Sequence, residues 1–413
     1  MAALASGCPG KALRRLNRTP LVEPTPAVVN RLRLLHPQEP SSTCARSGFA
    51  DDALTHIQGC LRHVTRNATL GAGPIGSQGR PLANGVRKAK QQQPLTRPRQ
   101  SSQRNGARWL ADALLLAIPK KSGGERPIAV GEVLRRAAAR ALIRLSINNL
   151  RNISRQFVLR QDGCLTVASL VRFAIESDDN ACVIQIDMSN AFNCIYRSAV
   201  LRASDATPLA HYARWAYAEP SRLIIGSETI LSSSGVQQGD PAGPALFAMA
   251  LSETMALERE MFPPNLLDLW YADDGCLVGA LQAVIDGYNQ LFEPLATIGL
   301  KINSKKCLLW SRDVNASAPA EVPLAAPQST LTVLGFPITG TEDSLLDFGR
   351  HAVDNATKTL YPISRLRHTQ GEVCILRACG PTAKLRHLLR LTDLAELRSC
   401  LYEADIHTLA SVE

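Results

Sequence analysis

Two adjacent acidic residues lie between two short, mainly apolar runs in the stretch Tyr271-Ala272-Asp273-Asp274-Gly275. The runs are 266–270 and 276–278, and a tight Asp-Gly pair between such runs predicts a β-hairpin whose glycine supplies the positive φ of the turn. Asp273 and Asp274 would then lie side by side at the tip. Adjacent carboxylates repel each other, so a protein that places them together usually provides a cation, and Mg²⁺ suits oxygen ligands on a tight turn. By itself the stretch fits an ordinary charged surface hairpin equally well.

The composition limits the class of protein. The chain has 413 residues and a hydrophobic content of 45%, which is enough for more than one folded core. No apolar run approaches a membrane span, and the N-terminus lacks the charged start and long apolar core of a signal peptide. We therefore expect an intracellular protein, nuclear or cytoplasmic, neither secreted nor membrane-bound. Its 11 cysteines are then expected to be free thiols.

The net charge is +10, and most of the basic residues are arginines. The planar guanidinium group binds phosphate through two hydrogen bonds, so an arginine excess fits contact with phosphate or nucleic acid. A base-composition bias in the coding sequence would give the same excess.

Residues 1–108 have the composition of a poorly ordered, basic N-terminal arm, with recurring Pro, Gly, Ser and Gln. The span 53–111 contains ten basic residues and no acidic one. A run of one charge sign is either a solvated tail or an arm that binds nucleic acid. We favour the arm, because the folded part of the chain also points to nucleic acid.

A basic hairpin is predicted where order begins, near Trp109. The apolar runs 114–118 and 126–130 are typical of strands, and a glycine-containing turn separates them. Three basic residues surround this turn: Lys120, Lys121 and Arg126. The turn is either an ordinary solvated one or a basic tip that meets a triphosphate.

Helical periodicity follows each predicted hairpin. The segment 131–150 is predicted to be a helix whose buried face carries Val133, Leu134, Ala137, Ala141, Leu142 and Leu145. After the acidic hairpin, a second stripe predicts a core helix through Leu281, Val284, Ile285, Tyr288, Leu291, Phe292, Leu295 and Ile298. Strands are predicted at 300–307 and 331–338, and helices from about Leu345 onward.

An aspartate ends a predicted buried strand. Residues 181–186 are mainly apolar and Asp187 follows them, which is unusual for an acid unless it faces a site. Phe192 stands five residues later, in a turn-like stretch where an ordinary core aromatic is the simpler interpretation. If the strand of Asp187 lies beside the acidic hairpin, Asp187, Asp273 and Asp274 converge at one end of a sheet. Three such carboxylates can hold two divalent metals for an in-line phosphoryl transfer.

A loop rich in Gly and Pro covers 231–244 and contains Gln237-Gln238-Gly239-Asp240-Pro241. It leads into a predicted helix at about Ala245, with Pro244 suited to the first turn. Glycines here would let the backbone approach a ligand closely. The alternative is a plain connecting loop.

Together these stretches resemble reverse transcriptases, and most closely those of non-LTR retrotransposons, over about 110–338 and less securely over the helical tail. The matching stretches, in the order of the family, are Ile118-Pro119-Lys120-Lys121 with Arg126-Pro127-Ile128, Asp187-Met188-Ser189-Asn190-Ala191-Phe192-Asn193, Gln237-Gln238-Gly239-Asp240-Pro241, Tyr271-Ala272-Asp273-Asp274, Gly299-Leu300-Lys301-Ile302-Asn303 through Lys306, and Leu334-Gly335-Phe336. Several motifs in the correct order are far more specific than any one of them.

The resemblance implies an α+β, right-hand polymerase: fingers and a ferredoxin-like palm over 109–340, and a short helical thumb over 341–413. It implies RNA-directed DNA synthesis from dNTPs on an RNA template and a DNA primer, with two Mg²⁺ ions, for which Mn²⁺ can substitute. The sequence carries no signal for the oligomeric state.

The resemblance also assigns roles to individual residues. Asp187, Asp273 and Asp274 would carry the metals, and Lys306 would protonate the leaving pyrophosphate. Phe192 would exclude the ribose 2′-hydroxyl. The substrate-binding set would be completed by Lys120, Lys121, Arg126, Gln238 and Gly239.

Two other functions fit parts of the sequence. One is an inactive element remnant, truncated or domesticated, that only binds RNA or DNA; the sequence carries no recognisable endonuclease motif, RNase H carboxylates or zinc knuckle. The other is an RNA-dependent RNA polymerase, which typically carries Gly-Asp-Asp at the hairpin and a smaller residue near the first aspartate. Ala272 and Phe192 disfavour that second function.

Overall fold

The computed structural model describes residues 20–39, 110–120, 123–326, 329–358, 360–364 and 368–391, together with positions 402, 404 and 406. The helices are α1 Pro26–Leu34, α2 Val133–Arg151, α3 Gly163–Ser177, α4 Ala191–Cys194, α5 Arg197–Ser204, α6 Ala210–Tyr217, α7 Gly243–Glu258, α8 Leu281–Gln290, α9 Phe292–Thr297, α10 Glu342–Thr357, α11 Leu360–Ser364, α12 Thr369–Cys379 and α13 Pro381–Leu385. The strands are β1 Ala113–Pro119, β2 Glu125–Gly131, β3 Ala181–Ile186, β4 Ser221–Ile225, β5 Glu228–Ser232, β6 Leu267–Tyr271, β7 Asp274–Ala280, β8 Leu308–Trp310, β9 Leu331–Val333 and β10 Phe336–Thr339.

A central antiparallel sheet has the strand order β6-β7-β3-β8 and is buried on both faces. Successive side chains of a strand point to opposite faces, so β3 contributes to two cores. Val183 packs in one cluster with Val171 of α3 and Ile338 of β10. Its neighbour Ile184 packs in the other cluster with Phe247 of α7. The sheet is therefore a rigid layer between helices, and its loop-bearing ends carry the candidate site.

A second, N-terminal sheet has the order β2-β1-β4-β5, in which β1 and β4 run parallel. Its β1–β2 hairpin confirms the predicted basic hairpin. The helix α1 covers one face, with Leu32 fully buried against a cluster that includes Leu115 of β1 and Leu223 of β4. Thr25 caps α1 by accepting a hydrogen bond from the Val28 N–H.

The presence of α1 corrects the prediction of a poorly ordered arm over residues 1–108. That prediction is wrong for residues 20–39, because the apolar face of α1 is buried against a sheet that lies far away in the sequence. Arg31 forms an ion pair with Glu125 of β2. Glu39 accepts hydrogen bonds from the N–H of Arg197 (2.9 Å) and of Ser198 (3.3 Å), and so caps α5. The remainder of the arm, including most of the acid-free span, lies outside the described residues.

The helix α2 is present as predicted, and the prediction of its buried face is confirmed for Ala141 and Leu142 and wrong for three other residues. Val133 is 66% exposed, and Leu134 and Leu145 are also exposed. Besides Ala141 and Leu142, the buried side chains of the helix are Arg135, Ala138, Ala139, Ser146 and Leu150. The buried face includes Arg135, whose side chain has an acidic partner elsewhere in the chain.

That partner is Asp240, in the loop before α7. A guanidinium nitrogen of Arg135 lies 2.9 Å from a carboxylate oxygen of Asp240, and both side chains are 1% exposed. The hydroxyls of Tyr212 (2.8 Å) and Tyr217 (2.5 Å) also donate to Asp240, and Arg135 donates to the Ala111 carbonyl at 2.6 Å. The cluster therefore fastens α2, α6 and the glycine-containing loop to one another.

Three further predictions can be compared with the structure. The predicted core helix after the acidic hairpin is divided into α8 and α9, with Leu291 between them. The predicted strand at 300–307 is wrong: its only bridge is an isolated one between Ile302 and Met188, beyond the end of β3, and Ser304–Lys306 forms a 3₁₀ turn. The strand prediction at 331–338 is confirmed as the β9–β10 hairpin. None of the helices in the described ranges combines the length and the apolar character that a membrane-spanning segment needs.

The buried ion pair predicts a large stability loss when one partner is removed. Arg135→Met should lower the free energy of unfolding by about 3–5 kcal/mol, because it leaves the Asp240 carboxylate buried without its cation. Arg202→Met is the control, since Arg202 pairs with Glu253 on the surface and its loss should cost less than about 1 kcal/mol. Urea denaturation measures both; equal losses would contradict the central role of the buried pair.

Candidate functional site

The acidic hairpin is present as predicted, but glycine does not supply its positive φ. Tyr271 pairs with Asp274, so Ala272 and Asp273 form the two-residue turn, and Ala272 has a φ of 56°. Gly275 lies within β7, where a Cβ atom would stand 2.5 Å from the Trp270 ring. The glycine is therefore needed for packing of the tryptophan beneath the tip.

Asp187 lies beside this tip. Ile186 is the last residue of β3 and pairs with Gly275, so the next residue of the chain reaches the beginning of β7. The Asp187 carbonyl accepts a hydrogen bond from the Asn303 N–H at 2.9 Å, which holds the end of the strand in place. The structure thus brings Asp187 next to the adjacent pair Asp273 and Asp274, which begins 86 residues later in the sequence.

The three carboxylates share an environment that disfavours their charges. Partial burial raises the pKa of Asp187 and of Asp273, and the charge of Asp187 raises the pKa of Asp273 further. Burial, followed by the charges of Asp273 and Asp187, raises the pKa of Asp274 to about 6. Like charges in a partly buried site are only partly compensated, which is the situation that a bound cation relieves.

The donor set fits Mg²⁺, which needs one or two carboxylates and accepts substrate phosphates and water as its other ligands. Asp187, Asp273 and Asp274 supply hard oxygen atoms at one edge of the sheet. Within the described part of the chain, no three or more His, Cys, Asp or Glu side chains are placed so that together they could hold a metal ion.

Basic side chains from two other elements act on this acidic cluster. The charges of Lys306 and Lys120 lower the pKa of Asp187, against the larger effect of burial, and the charge of Arg126 does the same for Asp273. Lys120 and Arg126 belong to the tip of the β1–β2 hairpin, and Lys306 ends a 3₁₀ turn. The basic tip of the N-terminal sheet therefore faces the acidic edge of the central sheet. Lys121 lies outside the described residues.

Phe192 lies in the short helix α4, just after Asp187. Its half-buried ring stacks on the buried ring of Phe247, with 4.7 Å between centroids and an interplanar angle of 17°. Its carbonyl accepts a hydrogen bond from the Val236 N–H at 2.7 Å, and a Cβ at Gly235 would stand 2.4 Å from the Asn193 backbone. One face of the Phe192 ring is thus fixed against the core.

Gln238 and Gly239 lie against the basic hairpin. The Gln238 carbonyl accepts a hydrogen bond from the Ala129 N–H of β2 at 2.6 Å. Gly239 has a φ of 123°, and a Cβ there would stand 2.3 Å from the Ala129 carbonyl oxygen. Only glycine allows this approach, so the loop joins the N-terminal sheet to the region of Phe192.

The structure also shows contacts that the sequence did not indicate. The Asn190 side chain donates to the Leu35 carbonyl at 2.7 Å, so the segment after α1 contacts the turn that follows Asp187. Gln156 contacts the turn of the acidic hairpin. A lone Asn or Gln has no periodicity or spacing by which such a role could be recognised.

Comparison with known proteins agrees with this architecture. The family described as "Reverse transcriptase (RNA-dependent DNA polymerase)" matches residues 118–338. A Drosophila melanogaster relative, the retrovirus-related Pol polyprotein from type-2 retrotransposable element R2DM, is 28% identical over 205 residues, which is 44% of this chain and 19% of the relative. The chain thus spans about a fifth of that protein.

Two solved structures resemble the chain more distantly. Apo telomerase from Candida tropicalis has a TM-score of 0.45 and 10% identity, over 80% of this chain and 66% of that one. Telomerase from Candida albicans, in complex with a fragment of telomeric RNA, has a TM-score of 0.40 and 11% identity, over 80% and 64% of the two chains.

The chain is built as a reverse transcriptase domain, and it belongs to the reverse transcriptase family. The predicted resemblance to the non-LTR retrotransposon type is confirmed by the family match and by the R2DM relative. The predicted fold class, an α+β right-hand polymerase, is confirmed by the family match and by the mixed sheets and helices.

Charge repulsion at the acidic edge predicts a specific pH dependence. The folded-state pKa of Asp274, about 6, exceeds its usual value of 3.8, so the folded state binds more protons and its stability falls as pH rises from about 4 to 6. At neutral pH without divalent metal, Asp274→Asn should therefore stabilise the fold by about 1 kcal/mol, allowing for solvent screening.

Thermal melting with and without Mg²⁺ measures this effect. Mg²⁺ should raise the melting temperature of the wild type and shift Asp274→Asn much less, because the variant lacks a carboxylate that would bind the cation and the repulsion that the cation would relieve. Asp286→Asn, on α8, is the matched control and should retain the Mg²⁺ shift. An Asp274→Asn protein that is less stable than the wild type in metal-free buffer at pH 7 would contradict the repulsion.

Proposed function

We propose that this chain is an RNA-directed DNA polymerase that extends a primer on an RNA template with dNTPs. The observation that carries the proposal is the convergence of Asp187, Asp273 and Asp274 at one sheet edge, opposite a basic hairpin tip. Carboxylates on one side and cations on the other are what a nucleoside triphosphate requires when its phosphates bridge bound metals. Membership of the reverse transcriptase family supports RNA as template and deoxynucleotides as substrate.

The three aspartates would hold the metals, because their carboxylate oxygens lie together at one edge of the central sheet. When bound, two Mg²⁺ ions would orient the attacking primer hydroxyl and stabilise the leaving oxygens. The rigid β3–β7 pairing fixes the directions of Asp187 and Asp274 before substrate arrives. Catalysis then requires little rearrangement of the acidic edge.

Other residues of the chain bind and protonate the substrate in this proposal. Lys120 and Arg126, and Lys121 by its place in the motif, bind the triphosphate from the fingers. Lys306 lies near enough to Asp187 to act on its pKa and donates a proton to the leaving pyrophosphate. Gln238 and Gly239 contact the nascent base pair, from a loop that is hydrogen-bonded to β2.

The subdomains follow from the same proposal. The sheet of β1, β2, β4 and β5, with α2, forms the fingers, and the central sheet forms the palm, within 109–340. The helices after β10 form the thumb, within 341–413. The helix α1 covers the fingers sheet and is part of this subdomain, although it lies within the region predicted as the N-terminal arm.

Primer extension with purified protein, an RNA template, an annealed DNA primer, Mg²⁺ and dNTPs tests the proposal. Asp187→Asn, Asp273→Asn and Asp274→Asn should each abolish extension, since each removes charge that the metals need. Template binding by the same variants should persist, and Asp286→Asn should extend normally. Near-wild-type turnover by the Asp187 or Asp273 variant would overturn the site, and binding without extension by the wild type would leave only a nucleic-acid-binding remnant.

The stacked position of Phe192 predicts discrimination between sugars. Phe192→Val should admit ribonucleotides, because the Phe192 ring fills the volume beside the sugar that a 2′-hydroxyl would need. The Phe247 ring stacked on it prevents the Phe192 ring from moving aside. Incorporation of single dNTPs and rNTPs, compared as a ratio of kcat/KM, measures the change. Phe262→Val, at another aromatic packed on the same core, should leave the ratio unchanged. Equal losses with both nucleotides in Phe192→Val would show that the ring is only a core residue.

A further inference from the structure

We infer that Gln156 is a positioning residue for the acidic hairpin, holding the turn in the one conformation that presents Asp273 and Asp274 together. The catalytic part of this inference rests on the proposed polymerase function. The structural part concerns only the contact between Gln156 and Ala272. It can therefore be tested even if the chain does not polymerise.

The backbone on both sides of Gln156 is fixed along the edge of β6. The Trp270 N–H donates to the Arg155 carbonyl at 2.9 Å, and the Phe157 N–H donates to the Trp270 carbonyl at 2.8 Å. Gln156 itself forms an isolated parallel bridge with Trp270. The side chain thus starts from a rigid point next to the acidic hairpin.

The Gln156 side chain is buried, at 3% exposed, and its amide brackets one residue of the turn. Its Oε1 accepts a hydrogen bond from the Ala272 N–H at 2.8 Å, and its Nε2 donates to the Ala272 carbonyl at 3.2 Å. The same oxygen also accepts from the N–H groups of Phe157 (3.2 Å) and Val158 (3.3 Å). These additional bonds orient the amide, because only its oxygen can accept from three N–H groups.

Ala272 needs this support. Its φ of 56° lies in the left-handed region, which is unfavourable for a residue with a Cβ atom, and the residue is buried at 8% exposed. Its N–H and its carbonyl belong to the peptide groups before and after it. When Gln156 holds both groups, the path of the chain into Asp273 is determined. Without Gln156 these two polar groups would be buried without their present partners, and the turn would relax towards an ordinary φ.

The position of the carboxylates depends on this path. The site requires Asp273 and Asp274 to lie beside Asp187, and small displacements of reacting groups are costly to phosphoryl transfer. Glycine at position 272 would adopt the same φ without strain. This chain instead has alanine at position 272 and the buried Gln156 amide across the turn. Replacement of Ala272 by glycine should therefore compensate for the loss of the Gln156 amide.

Gln156→Met in the full chain tests the inference, because methionine keeps the length and volume of glutamine but makes neither hydrogen bond. We expect kcat for primer extension to fall about 10- to 100-fold, with a smaller change in KM for the dNTP. Ala272→Gly in the Gln156→Met background should recover most of the lost kcat, and Ala272→Gly alone should be close to wild type. Ser204→Ala is the control: it removes a hydrogen bond of a fully buried hydroxyl, 2.9 Å to the Leu201 carbonyl, away from the site.

Amide hydrogen exchange provides a measurement that does not depend on activity. In Gln156→Met the exchange should accelerate in the peptide that spans 270–275, while in Ser204→Ala that peptide should exchange as in the wild type. A Gln156→Met protein with unchanged kcat, or one whose loss is not recovered by Ala272→Gly, would overturn the positioning role. If the wild type itself does not extend a primer, the proposed function fails, and unchanged exchange at 270–275 would then independently overturn the inference.

Discussion

The contact between the basic hairpin and the acidic edge depends on the buried ion pair of Arg135 and Asp240. Two charges removed from water are tolerated only while their partners stay in place, and here both side chains are 1% exposed. Arg135 belongs to α2, directly after β2, and Asp240 directly follows Gly239 in the loop that β2 contacts. Any shift of the loop relative to the N-terminal sheet would separate the two charges. The buried pair therefore fixes the distance between the basic hairpin and the acidic edge, although it lies outside the candidate site itself.

The acidic edge illustrates the opposite relation between charge and stability. Burial raises the pKa of Asp187, Asp273 and Asp274, and the charges of neighbouring aspartates raise the pKa of Asp273 and Asp274 further. Their ionised forms therefore weaken the fold instead of strengthening it. The central sheet tolerates this cost because the strands beneath the acids are buried on both faces. A site that binds cations needs carboxylates held at this disadvantage, since groups already neutralised by protein cations would have little free energy to gain from a metal.

What could be predicted from the sequence was local. The three acids of the site, Asp187, Asp273 and Asp274, were recognisable because each follows or interrupts an apolar strand. Such a pattern is visible within one strand or one hairpin and needs no knowledge of distant contacts. The orientation of α2 was not recognisable, because the burial of Arg135 depends on Asp240, 105 residues later in the chain. The strand predicted at 300–307 failed for a related reason: a strand needs a partner elsewhere in the chain, and in this segment only Ile302 has one, in a bridge with Met188.

Polar residues that act through distant backbone groups were the least predictable part. Asn190 reaches the Leu35 carbonyl across 155 positions, and Gln156 reaches Ala272 across 116. Both side chains hold turns next to the acidic edge, and both are amides, which carry a donor and an acceptor and no charge. A charged side chain in either place would alter the electrostatics of the three carboxylates. A neutral amide fixes the backbone and leaves the local charge to the aspartates, so the geometry and the electrostatics of the edge are set by different residues.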